Sequence, residues 1–506
     1  MAIGVMLLAD VILRAQTLTA MYTDQGVLPR SQMRSLWADF DAVGLQQWGV
    51  GSWSLHALSG DLAWQVTLFA VAAIAAMSLA AGLFTRLSSV VCFVLIVSVH
   101  NRIPLVLTSG DTHLRLILFW AMFLPLGTRW SLDSYFGRIG RTGTNRAVAS
   151  PAAAGFIVQM FILYFFPGLA KLNELWLNGH GLDLALKLTI YNTAWARELL
   201  QYPLLLSWIS FLTLASELLF PWLLFVPYRN ASWRWLNLVT FVGLHLGITL
   251  VLSIGLFSYI CSATWLALIP GSSWDRWGIA ALSAASPSPS PFRLFASRTA
   301  QAFCAIMILF MLVWNVLNID GRWTATPQFD PQRPNFVVGY DETRNPLFHV
   351  FEITGHALGV GQHFQMFGRP PSEDAWFIYR GRLADGSERD VFWPGRDLNE
   401  QRTLIGRDSI PNHHWRQIHR NALDPAAFAV RQRMAVYAAE QWNRTHPANE
   451  QIAQLRLECY SDTYWPTPTP GEAKGAIIWG TYPDGPTSPF EGMLHQSKMS
   501  GIEKGF

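Results

Sequence analysis

Charge is what this chain has least of: 14% of its 506 residues are Asp, Glu, Lys or Arg, where soluble domains carry roughly 25%. A deficit of that size excludes an ordinary soluble protein. The formal net charge of +3 is small and the arginines are scattered, so no basic face is available for nucleic acid and none is expected as a partner. Cysteine is scarce as well. Cys92, Cys261 and Cys304 fall inside apolar runs, where a thiol behaves as a small hydrophobe, and Cys459 stands alone as a free thiol. No spacing suits a disulfide framework, a zinc site or a redox pair, so no metal is predicted. Internal repeats are absent.

What is present is apolar. Hydrophobic residues make up 51% of the chain, with 23 tryptophans and a mean hydropathy of +0.23. The apolar runs stop near residue 317, and the remainder is rich in Arg, Asp, Glu, Pro and His. Two parts follow: a mostly α polytopic membrane bundle over 1–318 and a smaller α+β extramembrane domain over 319–506. Candidate spans are Met1–Leu18, Trp64–Phe84, Leu87–Val99, Thr112–Leu126, Pro151–Leu172, Leu204–Val226, Trp233–Ile254, Phe257–Ile269 and Thr299–Leu317, about nine. Several fall short of roughly 20 residues, which predicts tilted, broken or re-entrant helices. The first holds Asp10 and Arg14 at i,i+4, facing each other on one helix, and reads as a partial span from a late start.

Arginines mark alternate loops: Arg86; Arg129, Arg138, Arg141 and Arg146; Arg229 and Arg234; Arg276, Arg293 and Arg298. The positive-inside rule makes these cytoplasmic and places the C-terminal domain outside the cytoplasm. Ala281–Phe292, with its alternating Ser and Pro, is a cytoplasmic linker that excludes helix. Between Trp176 and Tyr202 apolar and charged residues interleave as in an interfacial amphipathic helix. In the C-terminal part, Pro327–Pro346 is irregular, Ala375–Leu383 and Asp390–Trp393 read as strands around an Asp385-Gly386 hairpin signal, Asp424-Pro425 opens a helix to about Asn443, and Ile452–Tyr460 is a further strand. The tail after Ser461 is expected to be loose. His413, His414 and His419 lack acidic or thiol companions at ligand spacing and read as a solvated segment. Asn443-Arg444-Thr445 is a glycosylation sequon.

The stretch that organises the chain is Tyr164–Gly179, YFFPGLAKLNELWLNG, where an uncharged run delivers Lys171 at the membrane border. Such a lysine either anchors at the interface, with Glu174 at i+3 as a surface partner, or is placed for chemistry. Glu217 and His245 lie within apolar spans, where ionisable groups face the interior. For His245 a hydrogen-bonded core histidine and a catalytic one both remain open. Arg102 and Asp111 suggest either a self-satisfying charge pair near the bilayer surface or an anion or carboxylate site, and the pairing is the expected arrangement.

Taken with YTDQGVLPR at Tyr22–Arg30, the stretch from His100 to Asp111, FLPLGTRWSLD at Phe123–Asp133 and a downstream Glu217, the GLAKLNELW motif resembles the vitamin K-dependent gamma-carboxylases and their bacterial relatives, the horizontally transferred transmembrane (HTTM) domain proteins. The resemblance covers most of the chain. It implies a polytopic membrane domain, an exported domain, and carbon–carbon lyase chemistry on an exported peptide driven by reduced vitamin K or a menaquinone-type hydroquinone. Lys171 matches the family's base. Asn101 matches an asparagine thought to assist at the quinone, but Arg102 replaces the histidine that follows it, and His100 lies one position, about 100 degrees of helix, away. The alternative class is a non-catalytic membrane protein whose bundle binds quinone or lipid and whose external domain binds a protein. A transporter would show paired inverted segments, and none are evident.

Overall fold

A computed structural model describes residues 1–33, 53–128, 130–136, 150–277, 297–323, 346–362, 364, 366–370, 373–392, 398, 412–423, 427–463 and 474–483. Each apolar run folds as helix: α1 (Ala2–Ala15), α2 (Leu62–Ala81), α3 (Thr85–Arg102), α4 (Ser109–Phe123), α5 (Pro151–Ala170), α6 (Pro203–Leu219), α7 (Asn230–Val251), α8 (Phe257–Trp265) and α9 (Arg298–Trp323). Of the nine expected spans, not all are confirmed by length. Among the described residues five helices are long and apolar enough to cross a membrane: Leu62–Ala81, Pro151–Ala170, Pro203–Phe225, Asn230–Val251 and Arg298–Leu317. The reason is length. With 14, 15 and 9 residues, α1, α4 and α8 rise roughly 21, 22 and 14 Å against a hydrocarbon core of roughly 30 Å. Helix α3 reaches 18 residues but carries Arg86 near one end and His100 and Arg102 at the other.

Local chemistry sets the boundaries. Ser150 caps α5 by accepting from the Ala153 amide, with Pro151 at the first helical position. Thr108 and Asp111 form a capping box at the start of α4. Helix α2 stops at Gly82, whose φ of 69° suits glycine. The long helices expose Val66, Ile74, Trp208, Leu212, Val239 and Ile306, a surface fit for lipid rather than water.

Downstream, α10 (Pro346–Ala357) leans back on the bundle, where Phe351 stacks on Phe310 at 4.7 Å. The chain then threads into the bundle instead of leaving it. Val360 and Phe364 are fully buried among the membrane helices. Backbone groups of this plug are met by polar side chains: Trp53 donates to Ala357 O (3.0 Å), Arg115 to Gly361 O (2.7 Å), Trp176 to Phe367 O (2.9 Å) and Asn173 to Gly368 O (2.7 Å). Irregular backbone survives at this depth because those donors satisfy it.

The C-terminal sheet comprises β1 (Glu373–Leu383), β2 (Glu388–Asp390), β3 (Ile452–Thr463) and β4 (Lys474–Tyr482), all antiparallel in the order β2-β1-β3-β4. The Asp385-Gly386 hairpin forms as expected, closed by the Leu383 amide on Ser387 O at 2.8 Å. Two helices, α11 (His413–Asn421) and α12 (Phe428–Thr445), pack with it, and their apolar residues share one core with Tyr22, Val99 and Leu105 of the bundle. The Asp424-Pro425 start and the segments 281–292 and 327–345 lie outside the described residues. Two expectations are corrected. The tail after Ser461 contributes β4, because alternating residues there find an open edge of β3. The Trp176–Tyr202 region is not one helix but short ones at Glu174–Leu177, Gly181–Lys187 and Ala194–Leu199, since Asn173 and Thr193 each start a new cap.

Candidate functional site

Helix α5 ends at Lys171, and the turn carries the side chain inward. Lys171 is 3% exposed, and its Nζ lies 2.7 Å from Glu217 Oε2 on α6 and 5.2 Å from the centre of the Trp176 ring. Glu174, the expected surface partner, is exposed and takes no part. Two turns back, Tyr164 meets His245 Nε2 at 2.9 Å and accepts from Trp265 Nε1 at 2.9 Å, tying α5 to α7 and α8. His245 is thereby a hydrogen-bonded core residue, apart from the Lys171–Glu217 pair.

The Asn101, Arg102 and Asp111 group does not assemble as expected. Asn101 donates to Trp53 O at 2.8 Å. Arg102 is fully buried and turns to Thr23 O (3.4 Å) and Met33 Sδ (3.8 Å). No ion pair joins it to Asp111 among the described residues. Asp111 uses Oδ2 to accept from the Thr108 amide and hydroxyl, both at 2.7 Å, and turns Oδ1 toward Arg14. The capping geometry thus fixes the carboxylate and selects α1 as its partner.

Arg14 is the centre of the buried polar network. Its Nε donates to Asp10 Oδ2 (2.8 Å), Nη1 to Tyr22 OH (3.0 Å), and Nη2 to Asp111 Oδ1, with His100 Nε2 at 3.4 Å. Ligand atoms of Asp10, His100 and Asp111 lie within 4.8 Å of one another. A metal would need the space the guanidinium fills, so the cluster reads as an arginine socket. The C-terminal domain closes over it through α11, where the charges of Asp111 and Arg14 act on His413, and that of Arg14 on His414. Burial, opposed by Asp111, pushes His413 down to about 4. Burial and then Arg14 hold His414 well below the usual histidine range. The solvated-segment expectation is therefore corrected: His414 and His419 are buried, His419 against Phe377, Tyr379 and Phe392 from elsewhere in the C-terminal domain.

Beside the socket lies a cleft between α1, α2 and α3. Leu7, Phe69, Ala76, Ile96 and Val99 supply apolar walls, while Asp10, Arg14 and His56 supply a polar end. Lys171 is not among the lining residues. His56 Nδ1 lies 2.7 Å from Ser98 Oγ, and burial, followed by the Arg102 and Arg14 charges, pushes its imidazole down to about 3 and keeps it neutral. Sequence reasoning found the Asp10–Arg14 pair but missed its link to Asp111, the cleft and the plug. A signal existed in Arg115 and Gln159, polar residues inside apolar runs; Gln159 donates to Gln362 Oε1 of the plug at 2.9 Å.

These features define a polytopic helical membrane protein with a folded domain docked on one end of its bundle. Residues 52–274 match the family model of the HTTM domain. No curated protein and no solved structure matches the chain.

Proposed function

We propose that this HTTM-domain protein takes a membrane-resident amphiphile, a quinone or a lipid, into the α1/α2/α3 cleft, and that its C-terminal domain presents a surface to an exported peptide or protein. The observation that supports it is the cleft: apolar walls at membrane depth run to a charged, hydrogen-bonded end, the shape and chemistry of a small-molecule site. A quinone or lipid fits there with its tail against Phe69, Ile96 and Val99 and its head toward Asp10, Arg14 and His56. The test is photolabelling of the full chain in nanodiscs with a photoreactive menaquinone analogue and a photoreactive acyl lipid. Labels on α1, α2 or α3 that fall at least tenfold in Ala72→Trp are expected. Labelling unaffected by filling the cleft would end this reading.

A second reading, carboxylase-like carbon–carbon lyase activity, is favoured by one observation: Lys171, in the position that matches the family's base, is buried. A bound hydroquinone would supply the reducing chemistry. Glu217 accepts from Lys171 Nζ at 2.7 Å, so the two residues act as a unit. Asn101 holds Trp53 O and has its amide occupied. Incorporation of labelled bicarbonate into a Glu-rich peptide with reduced menaquinone, present in wild type and lost in Lys171→Ala, is the result this reading requires; no incorporation in wild type leaves the binding function alone.

A further inference from the structure

The polar end of the cleft is asymmetric in a way that specifies a head group. Arg14 looks like an anion receptor but is already engaged: Nε, Nη1 and Nη2 each donate to a protein partner. Asp10 is the opposite case. Its Oδ2 accepts from Arg14, while Oδ1 has no partner among the described residues, and the side chain keeps 11% of its surface accessible. Two carboxylates, Asp10 and Asp111, already share the one Arg14 guanidinium. An anionic head entering beside Asp10 would set acceptor oxygens against the acceptor Oδ1 with no donor between them, while each Arg14 nitrogen is already shared with Asp10, Tyr22 or Asp111.

We infer that the cleft selects an amphiphile whose head donates a hydrogen bond and bears no negative charge, the chemistry of a lipid alcohol. This rests on the reading of the cleft as an amphiphile site. The hydroxyl proton goes to Asp10 Oδ1, satisfying an acceptor otherwise left in an apolar mouth, and the alkyl body lies along Phe69, Ile96 and Val99. An acceptor-only head, such as an ether or a fully oxidised quinone, leaves Asp10 unmatched.

The experiment uses one tail and three heads. Full-length protein in nanodiscs is labelled with a photoreactive alkyl probe, the adducts on α1, α2 and α3 are quantified by mass spectrometry, and oleyl alcohol, oleyl methyl ether and oleate at pH 8 compete. Oleyl alcohol is expected to compete at about tenfold lower concentration than either of the others, the effect of one added hydrogen bond. Oleate or the ether competing as well as the alcohol overturns the head-group assignment while leaving the amphiphile site in place. A probe that labels but yields to none of the three also overturns it. Failure of the probe to label these helices removes the site itself. Asp10→Asn, where it folds, should bring oleate within threefold of the alcohol; the wild-type series decides the matter without it.

Discussion

Lys171 and Glu217 are both buried and 2.7 Å apart, so each is the other's compensation for leaving water. Removing one partner strands the other, which costs roughly 3–5 kcal/mol, whereas replacing both with apolar residues of similar size is often neutral. Lys171→Ala and Glu217→Ala should each lower the thermal midpoint of the detergent-solubilised protein sharply, and Lys171→Met with Glu217→Leu should recover most of it. Single variants that melt like wild type would show that water reaches the pair. Both residues were legible from sequence, since each stands out against an apolar run. Their pairing was less so, because Glu174 offered a closer partner in sequence and only the inward turn at the end of α5 decides between them. Arg102 and Asp111 show the same limit: nine positions apart across a turn through Pro104, they are neighbours in sequence but are recruited by different elements.

At the level of elements, α11 shows how a period can be read and its setting missed. His414, Trp415, Ile418 and His419 fall on one helical face, a pattern available in the sequence, yet no pattern says that the face is buried. His419 is held between Trp415 O (2.6 Å) and Tyr379 OH (2.8 Å), and burial, opposed by the Trp415 carbonyl, pushes it down from 6.5 to about 4. With the folded value depressed, the unfolded chain takes up the proton first. The stability tied to neutral His419 is complete above about pH 6.5, declines as pH falls toward 4 and then levels off, a loss of about 3 kcal/mol for this one group. Denaturant titration followed by tryptophan fluorescence should show that acid-side loss, and His419→Gln should flatten it; an unchanged slope would mean that His419 is not the group responsible. Helix α1 offers a second test. A Cβ at Gly4 would collide with the Ala80 backbone and sit 2.9 Å from Ala76 O, so this glycine sets how closely α1 crosses α2 beside the cleft. Gly4→Val should reduce both thermal stability and cleft labelling, and unchanged labelling would place the cleft beyond the influence of that crossing.

For the whole molecule, the sequence located the apolar helices of the bundle, while helices at Pro346–Ala357 and His413–Asn421 were not foreseen, and length and composition support five of the nine expected spans. The sequence put the domain boundary where the apolar runs end; beyond that point Gly361, Gln362 and Gly368 are held by Arg115, Gln159 and Asn173 from distant helices. The same long-range docking sharpens the orientation. The C-terminal domain is bonded to Gly26, Leu105, Thr189 and Ser253, all at one end of the bundle. Arg86 opens α3 and Arg229 precedes α7, while Leu105 and Ser253 lie just beyond the far ends of those helices. Arg86 and Arg229 are therefore at the end opposite the docked domain, and the positive-inside rule predicts that this end is cytoplasmic. In a bacterial host, alkaline phosphatase fused after Ser461 should be active and a fusion after Gly143 inactive, with cytoplasmic reporters giving the reverse. Activity at Gly143 together with silence at Ser461 would invert the protein in the membrane and move any peptide partner of the C-terminal domain to the cytoplasm. Activity at both positions would mean that the fusions break the bundle, which mass-tag labelling of single cysteines at the same two sites in the intact chain would separate from a true inversion.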